Sequence, residues 1–336
     1  MSFSPIGDLA NSLLLSQASI NAKRNLARLS QELTTGVTTD VRGKLRNDLS
    51  QQSDWQNGIS KNKVLDNTLS EALTKIKAKQ SALEAISETS VALANNISVA
   101  LSANASEALA ALSHESQNGF EQTLAQLNTR VLQQNLFSGQ AQHANTMASA
   151  DEILASVKSF VGVASSATDL AQSVQTWMND PANGYNAIAY LGSEVANSPI
   201  RLSNDRLITE ESSANSKPIK SMIENLILAS LSKDDDVLAS KAQRVELLKT
   251  ASDGLRTAES QMTVLRAEIG FVEAELSKEK VMVGASTATY ERLRAEILGI
   301  DEYGTASKLQ ATELQIEKIY AMTARSARMS LLEYIR

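Results

Sequence analysis

The sequence predicts a mainly α-helical protein, in which both chain ends build a long antiparallel coiled-coil bundle and the middle forms a small inserted α+β domain. A seven-residue apolar repeat runs over 248–300, and a second repeat of similar length runs over 51–101. Three of the four prolines lie between the repeats, at Pro181, Pro199 and Pro218. Seven-residue repeats are typical of helices that pack along other helices, whereas proline interrupts helices.

Composition agrees with a folded, slender protein. Hydrophobic residues make up 43% of the chain and charged residues 21%, but aromatic residues only 4%. The net charge of −6 argues against binding nucleic acid. The absence of cysteine excludes disulfides and thiolate metal sites. No apolar run approaches the roughly 20 residues that cross a bilayer, so we expect no membrane insertion.

The first third of the chain predicts two long helices and a third one. Apolar residues recur at helical spacing over 6–33, and glycines and β-branched residues over 36–50 indicate an irregular connector. A long helix over 51–101 is the expected partner of the C-terminal repeat. A third helix is predicted over 107–135.

The middle of the chain mixes helices with turns. Residues 149–178 predict helix, with Ser149 as the N-terminal cap and a break near Gly162. Apolar residues on both sides of Asn204 and Asp205 predict a short hairpin, and 217–231 predicts another helix. The predicted inserted domain therefore spans 140–238.

The C-terminal third contains the longest repeat. Every seventh residue from Leu248 to Ile297 is apolar, and Glu279 and Ser286 interrupt the companion series three residues later. These two positions indicate either a place where a third helix or a neighbouring subunit meets the repeat, or a solvated local defect. Residues 299–304 break the helix, and a last amphipathic helix follows over 305–336.

The predicted division of the chain is symmetrical. Residues 1–47 and 302–336 form terminal assembly helices, 48–139 and 239–301 form the long-helix domain, and 140–238 form the insertion. The apolar stripes of the terminal helices favour partner helices over a membrane, because neither stripe is flanked by a strongly basic face. The alternative is that both stripes are ordinary bundle core. The candidate interface residues are Ile6, Leu9, Leu13, Leu26, Leu29, Leu33, Leu309, Ile316, Ile319, Leu331 and Ile335.

No pattern in the sequence nominates an active site. Phosphate-binding glycine loops and the H-E-x-x-H zinc motif are absent. His114 and His143 are predicted to be exposed, and Asp234 to Asp236 to form a solvated acidic loop. We therefore expect no catalytic residues, no cofactor, no metal and no enzyme.

Both chain ends resemble a known family. Residues 17–40 (QASINAKRNLARLSQELTTGVTTD) resemble the amino-terminal motif of flagellins, and 134–139 (QNLFSG) resembles an element of the hook-associated protein 3 family, the hook–filament junction proteins. Residues 315–336 (QIEKIYAMTARSARMSLLEYIR) are similar to the ending of that family. The resemblance covers about the first 140 and the last 100 residues.

The resemblance implies a structural role in the bacterial flagellum. Members of this family are secreted through the flagellar type III apparatus without a cleaved signal peptide. Their terminal helices form an inner tube, and their middle domain faces solvent. The implied partners are copies of the chain, a second hook-associated protein, flagellin, and an export chaperone on the C-terminal helix over 309–335. A flagellin filament subunit and a cytoplasmic coiled-coil scaffold are the alternatives.

Overall fold

The computed structural model describes residues 6–45, 50–102, 109–195, 197–203, 206–210 and 212–334. These residues are mainly helical, as predicted, and they include two antiparallel hairpins. The first hairpin pairs β1 (Arg130–Val131) with β2 (Gln134–Asn135), and the second pairs β3 (Ile200–Arg201) with β4 (Leu207–Ile208). A short π-helical turn covers Tyr185–Ala189. In chain order the elements are α1 (Ile6–Thr35), α2 (Val41–Lys44), α3 (Ser50–Ser102), α4 (Leu109–Leu127), β1 (Arg130–Val131), β2 (Gln134–Asn135), α5 (Ala150–Val161), α6 (Ala167–Asn179), β3 (Ile200–Arg201), β4 (Leu207–Ile208), α7 (Lys217–Leu231), α8 (Lys241–Leu298) and α9 (Glu302–Tyr334).

The chain forms two compact units. The terminal unit comprises Met1–Lys63 and Gly284–Arg336, and the middle unit comprises Val64–Val283. Helices α3 and α8 contribute residues to both. The sequence predicts boundaries after residues 47, 139, 238 and 301, and that three-part division stays a prediction.

In the middle unit, α3 and α8 lie side by side and run antiparallel. The Lys280 ammonium donates a hydrogen bond to the Ser70 hydroxyl at 2.7 Å, and the Ser252 hydroxyl donates to the Ala94 carbonyl at 2.9 Å. Residue numbers therefore rise along α3 as they fall along α8. This pairing agrees with the partner helix expected from the second repeat.

The apolar repeat of α8 is buried in the middle unit. Burial recurs at seven-residue spacing, and it is matched by buried leucine and isoleucine on α3. Removing this apolar surface from water is the main favourable contribution to the packing. The buried repeat residues of α8 are Leu248, Leu255, Met262, Ile269, Leu276 and Val283, together with Ala251, Ala258, Leu265 and Val272.

Glu279, which interrupts the companion series, is buried. It is 8% exposed, and the Arg206 guanidinium lies 3.6 Å from its carboxylate. A buried carboxylate requires a charged or hydrogen-bonding partner, and the residue that precedes β4 supplies it. At Glu279 both the predicted third helix and the alternative of a solvated defect are wrong, because residues of a hairpin meet α8 there.

The predicted helix over 107–135 is wrong at its C-terminal end, because α4 ends at Leu127. Residues Leu132 and Gln133 connect β1 to β2 with φ of 51° and 65°. This left-handed conformation is what a two-residue hairpin turn requires. The turn lacks the asparagine or glycine that usually signals it. The predicted start at Glu107 lies outside the described residues.

The predicted elements of the insertion are confirmed. The Ser149 hydroxyl accepts from the Glu152 N–H, and the Glu152 carboxylate accepts from the Ser149 N–H, which is a capping box at the start of α5. Gly162, with φ of 65°, follows its last residue. The hairpin pairs Ile200 with Ile208. Helix α7 has the predicted bounds, whereas the turn residues Asn204 and Asp205 lie outside the described residues.

Gly254 of α8 lies in close contact with the side chain of Asn225. An added Cβ would collide with the amide of Asn225, which donates a hydrogen bond to the Ser221 carbonyl at 2.8 Å. We expect Gly254→Ala to destabilise the protein by about 1–3 kcal/mol, because the amide would have to move within a packed interior. Urea denaturation measures this change.

The matched control is Gly270→Ala in the same helix. A Cβ at Gly270 would meet its nearest neighbour, the Gln80 Nε2, at 3.6 Å, an ordinary contact. This substitution should stabilise the protein by up to about 1 kcal/mol, because alanine favours helix over glycine. Equal effects of the two substitutions would contradict a close approach at Gly254.

Candidate assembly interface

The two terminal helices pack against each other in the terminal unit. The Lys23 ammonium of α1 lies 5.5 Å from the ring centroid of Tyr320 in α9, and the Ile300 N–H donates to the Gly36 carbonyl at 3.2 Å. Later residues of α1 thus lie beside earlier residues of α9. The pair is antiparallel, and each chain end is the partner of the other.

This helix pair leaves large apolar side chains in solvent. Leu13 is 60% exposed and Leu314 is 55% exposed. Leu13 and Ile20 are seven residues apart and therefore lie on one face of α1, and an exposed apolar face on a helix commonly marks a surface that binds another protein. Among the residues whose side chains the structure describes, the exposed large apolar ones of α1 are Leu13, Leu14, Ile20 and Leu33, and those of α9 are Tyr303, Leu314, Tyr320 and Met322.

The predicted interface residues fall into three groups. Leu29 and Ile319 are buried, and Leu26, Leu309 and Ile316 are half-buried. Leu13 and Leu33 are exposed. The side chains of Ile6, Leu9 and Leu331 and the whole of Ile335 lie outside the described residues.

Glu32 organises the C-terminal end of α1. Its carboxylate accepts hydrogen bonds from the Thr39 N–H at 2.9 Å, the Thr39 hydroxyl at 2.8 Å and the Thr38 hydroxyl at 3.2 Å. Gly36, with φ of 71°, allows the chain to reverse there. Glu32 thus holds the start of the connector against its own helix.

The two connectors pair with each other. Val37 forms an antiparallel bridge with Gly299, and the Thr38 N–H donates to the Leu298 carbonyl at 2.8 Å. A small apolar cluster of Leu45, Trp55 and Leu298 packs beside this bridge. The sequence predicts an irregular connector over 36–50 and a helix break over 299–304, and the structure joins these two segments through backbone hydrogen bonds.

The stability of the terminal unit is expected to fall in acid. Burial opposes ionisation of Glu32, but the hydrogen bonds from Thr39 and Thr38 and the charge of Arg28 outweigh it and hold its pKa below the usual value of 4.5. Ionised Glu32 therefore stabilises the folded state above about pH 4.5, and this contribution is lost as the pH falls through the lower pKa of the folded state.

Glu32→Gln isolates this contribution. We expect the variant to be less stable by about 1–3 kcal/mol at pH 7, the scale of hydrogen bonds to a charged group, and the difference from the parent should shrink as the pH falls to 3. Chemical denaturation at several pH values measures it. Glu313→Gln, at an exposed position on α9, is the control. A difference that stays constant from pH 7 to 3 would show that Glu32 does not act through its charge.

The middle unit contains a buried ion pair that sequence reasoning missed. The Lys79 ammonium of α3 lies 2.5 Å from the Glu210 carboxylate, and it also donates to the carbonyl and hydroxyl of Ser212, both at 3.0 Å. All three residues are buried. Burial lowers the pKa of Lys79 below its usual range, although the charge of Glu210 opposes that shift. We call Lys79, Glu210 and Ser212 the ionic clasp.

In the geometry of the ionic clasp, Lys79 donates hydrogen bonds to the 210–212 region and is not placed as a base for Ser212. A serine–lysine pair catalyses acyl transfer when the neutral amine accepts the serine proton. Here the Lys79 ammonium donates to three oxygens, and Ser212 is 1% exposed. Lys79 and Glu210 are 131 positions apart in the sequence. No short sequence motif therefore indicates that they form a pair.

The described residues contain neither a candidate metal site nor a candidate membrane-spanning helix. Among them, no group of three or more His, Cys, Asp and Glu side chains is placed to hold a metal ion. His114 and His143 are exposed. No described helix combines the length and the apolar character needed to cross a bilayer.

No model of a protein family matches the chain, and no curated protein matches it either. Function must therefore be inferred from the residues themselves and from the contacts of the two units.

Proposed function

We propose that the chain is a structural axial protein of the bacterial flagellum that joins the hook to the filament. The observation that carries this proposal is the terminal unit, where the two chain ends pair and still leave Leu13 and Leu314 largely in solvent. The resemblance of residues 17–40 and 315–336 to the flagellin family supports the same function. The protein acts by assembly and not by catalysis.

Assembly buries the exposed apolar residues of α1 and α9 between neighbouring copies. Burying one leucine side chain contributes about 1.5–3 kcal/mol, whereas association of two molecules costs at least about 4 kcal/mol in lost freedom of motion. A single side chain therefore cannot hold two copies together. Several such residues on each helix, each contacting a neighbour, can do so.

The remaining parts take the roles that the resemblance implies. The long helices α3 and α8 pack as an antiparallel coiled coil, and the predicted domain over 140–238 lies on the solvent side of the assembled flagellum. Copies of the chain, a second hook-associated protein and flagellin are the axial partners. An export chaperone holds α9 before secretion through the type III route.

Two other functions compete with this one. A flagellin filament subunit would use the same terminal helices, but the 134–139 element and the C-terminal ending favour the junction protein. A cytoplasmic coiled-coil scaffold would account for the long helices without secretion. Unlike either flagellar protein, it would not occur in shed flagella.

A deletion strain separates these functions. Loss of a junction protein should leave cells with intact hooks, without filaments, and with flagellin in the culture medium. Loss of flagellin should instead remove the major secreted subunit from the medium. A strain that keeps normal filaments and swims normally would contradict both flagellar functions. Complementation with the parent gene is the control.

A further inference from the structure

The β4 segment, residues 206–210, contacts the helices mainly through charged side chains, and its one apolar residue packed against the core, Ile208, is only partly buried. Within it Glu210 is the one buried residue, whereas Leu207 is 63% exposed. Arg206 makes two further ion pairs with α8, at 2.8 Å to Glu275 and at 3.6 Å to Glu279, and the segment is also paired with β3. Ion pairs therefore make the closest contacts of this segment with α3 and α8.

An attachment of this kind opens at a low cost. Burial strips water from both ions, and a buried ion pair is often no more stable than an apolar pair of the same size, because its mutual attraction only offsets that loss. When the segment lifts away, both Lys79 and Glu210 regain water. An apolar contact regains no favourable hydration on opening, because exposing its surface to water is itself unfavourable.

Space around the ionic clasp also permits movement. A cavity of about 380 Å³ is lined by Glu210 with Ile76 and Lys79 of α3. A second cavity of about 470 Å³ is lined by Glu210 with Ser212 and residues of α8. Glu210 borders both cavities, so close packing does not confine its side chain on those sides.

We propose that the ionic clasp is releasable: the β4 segment, together with the β3 strand paired to it, leaves Lys79 and α8 while the helices of the middle unit stay folded. Opening joins the two cavities into one groove along α3 and α8. Ala214 limits the opening, because it is fully buried and its N–H donates to the Phe137 carbonyl at 2.9 Å. This inference concerns the middle unit, and it does not rest on the flagellar function.

Thiol labelling tests the release directly. The chain has no cysteine, so Ser212→Cys provides a single thiol at a position that is 1% exposed. The control is Ser116→Cys, at a fully buried position in α4, which reports global unfolding. Local opening requires less free energy than global unfolding, and we expect the thiol at 212 to react at least about 100-fold faster. Equal rates for the two variants would overturn the proposal.

A second variant links the opening to the ion pair. In the Ser212→Cys background, the double substitution Lys79→Met and Glu210→Met should slow labelling by about tenfold or more, because an apolar pair has no hydration to regain. The Ser116→Cys rate should change less. An unchanged or faster rate at 212 would show that the ion pair does not govern opening. Ser212→Cys removes one acceptor of Lys79, so a second probe is needed. Leu202→Cys provides it, at a position next to β3 that is 1% exposed. Its thiol should also react faster than the thiol of Ser116→Cys, and more slowly when Lys79 and Glu210 are both replaced by methionine.

Discussion

Removal of residues 305–336 is expected to abolish assembly while leaving the middle unit folded. These residues form nearly all of α9, which supplies one half of the terminal helix pair. The middle unit, Val64–Val283, contains none of them and has its own buried core. The intrinsic fluorescence of Trp177, which is fully buried, and circular dichroism measure folding. Incorporation into isolated flagella measures assembly.

A matched pair of point variants separates a specific interface from a general loss of stability. Leu314→Asp places a carboxylate on the exposed face of α9, and Val264→Asp places one at a position on α8 that is 59% exposed. Burying an unpaired carboxylate is strongly unfavourable, so the first variant should reduce incorporation by more than about tenfold and the second should not. Incorporation of the truncated protein, or equal losses in the two point variants, would contradict assembly through the terminal helices.

Breaking the ionic clasp from one side is expected to cause the largest loss of stability in the middle unit. Lys79→Met leaves the Glu210 carboxylate buried without its cation, which should cost up to about 3–5 kcal/mol, with the free energy of opening the segment as the upper limit, because opening returns the carboxylate to water. Adding Glu210→Met removes the unpaired charge, and the double variant should regain the stability of the parent or exceed it. Urea denaturation followed by Trp177 fluorescence, in a Trp55→Phe background, measures both changes.

The double variant also serves as the control for cavity formation. Methionine is close to lysine and glutamate in length, so lost packing should be similar in the single and double variants. A double variant as unstable as the single one would show that packing, and not the unpaired charge, determines the loss. A single variant as stable as the parent would show that Glu210 reaches water without opening the structure.

The sequence predicted the regular elements well and their tertiary contacts poorly. Both ends of helix α7 could be predicted, because Pro218 marks its first turn and apolar residues recur at helical spacing as far as Leu231. The end of α4 could not be predicted, because Leu132 and Gln133 adopt a turn that neither side chain favours. Local pattern determines where helices form, whereas a turn stabilised by its surroundings leaves little local signal.

The candidate interface shows the same limit. Helical spacing predicted the apolar stripes of α1 and α9, but it could not tell which side the partner helix covers, so Leu29 is buried while Leu33 is exposed. Glu32 was likewise not predicted, since its role depends on a chain reversal that brings Thr39 back to it. The ionic clasp required the folded middle unit to bring Lys79 to Glu210.

Immunogold labelling of intact flagella tests the central claim most directly. Antibodies against residues 140–238, the segment proposed to face solvent, should label a single narrow band at the boundary between hook and filament. Label along the whole filament would identify a filament subunit instead. Flagella without any label, in cells that contain the full-length chain in the cytoplasm, would contradict an axial function.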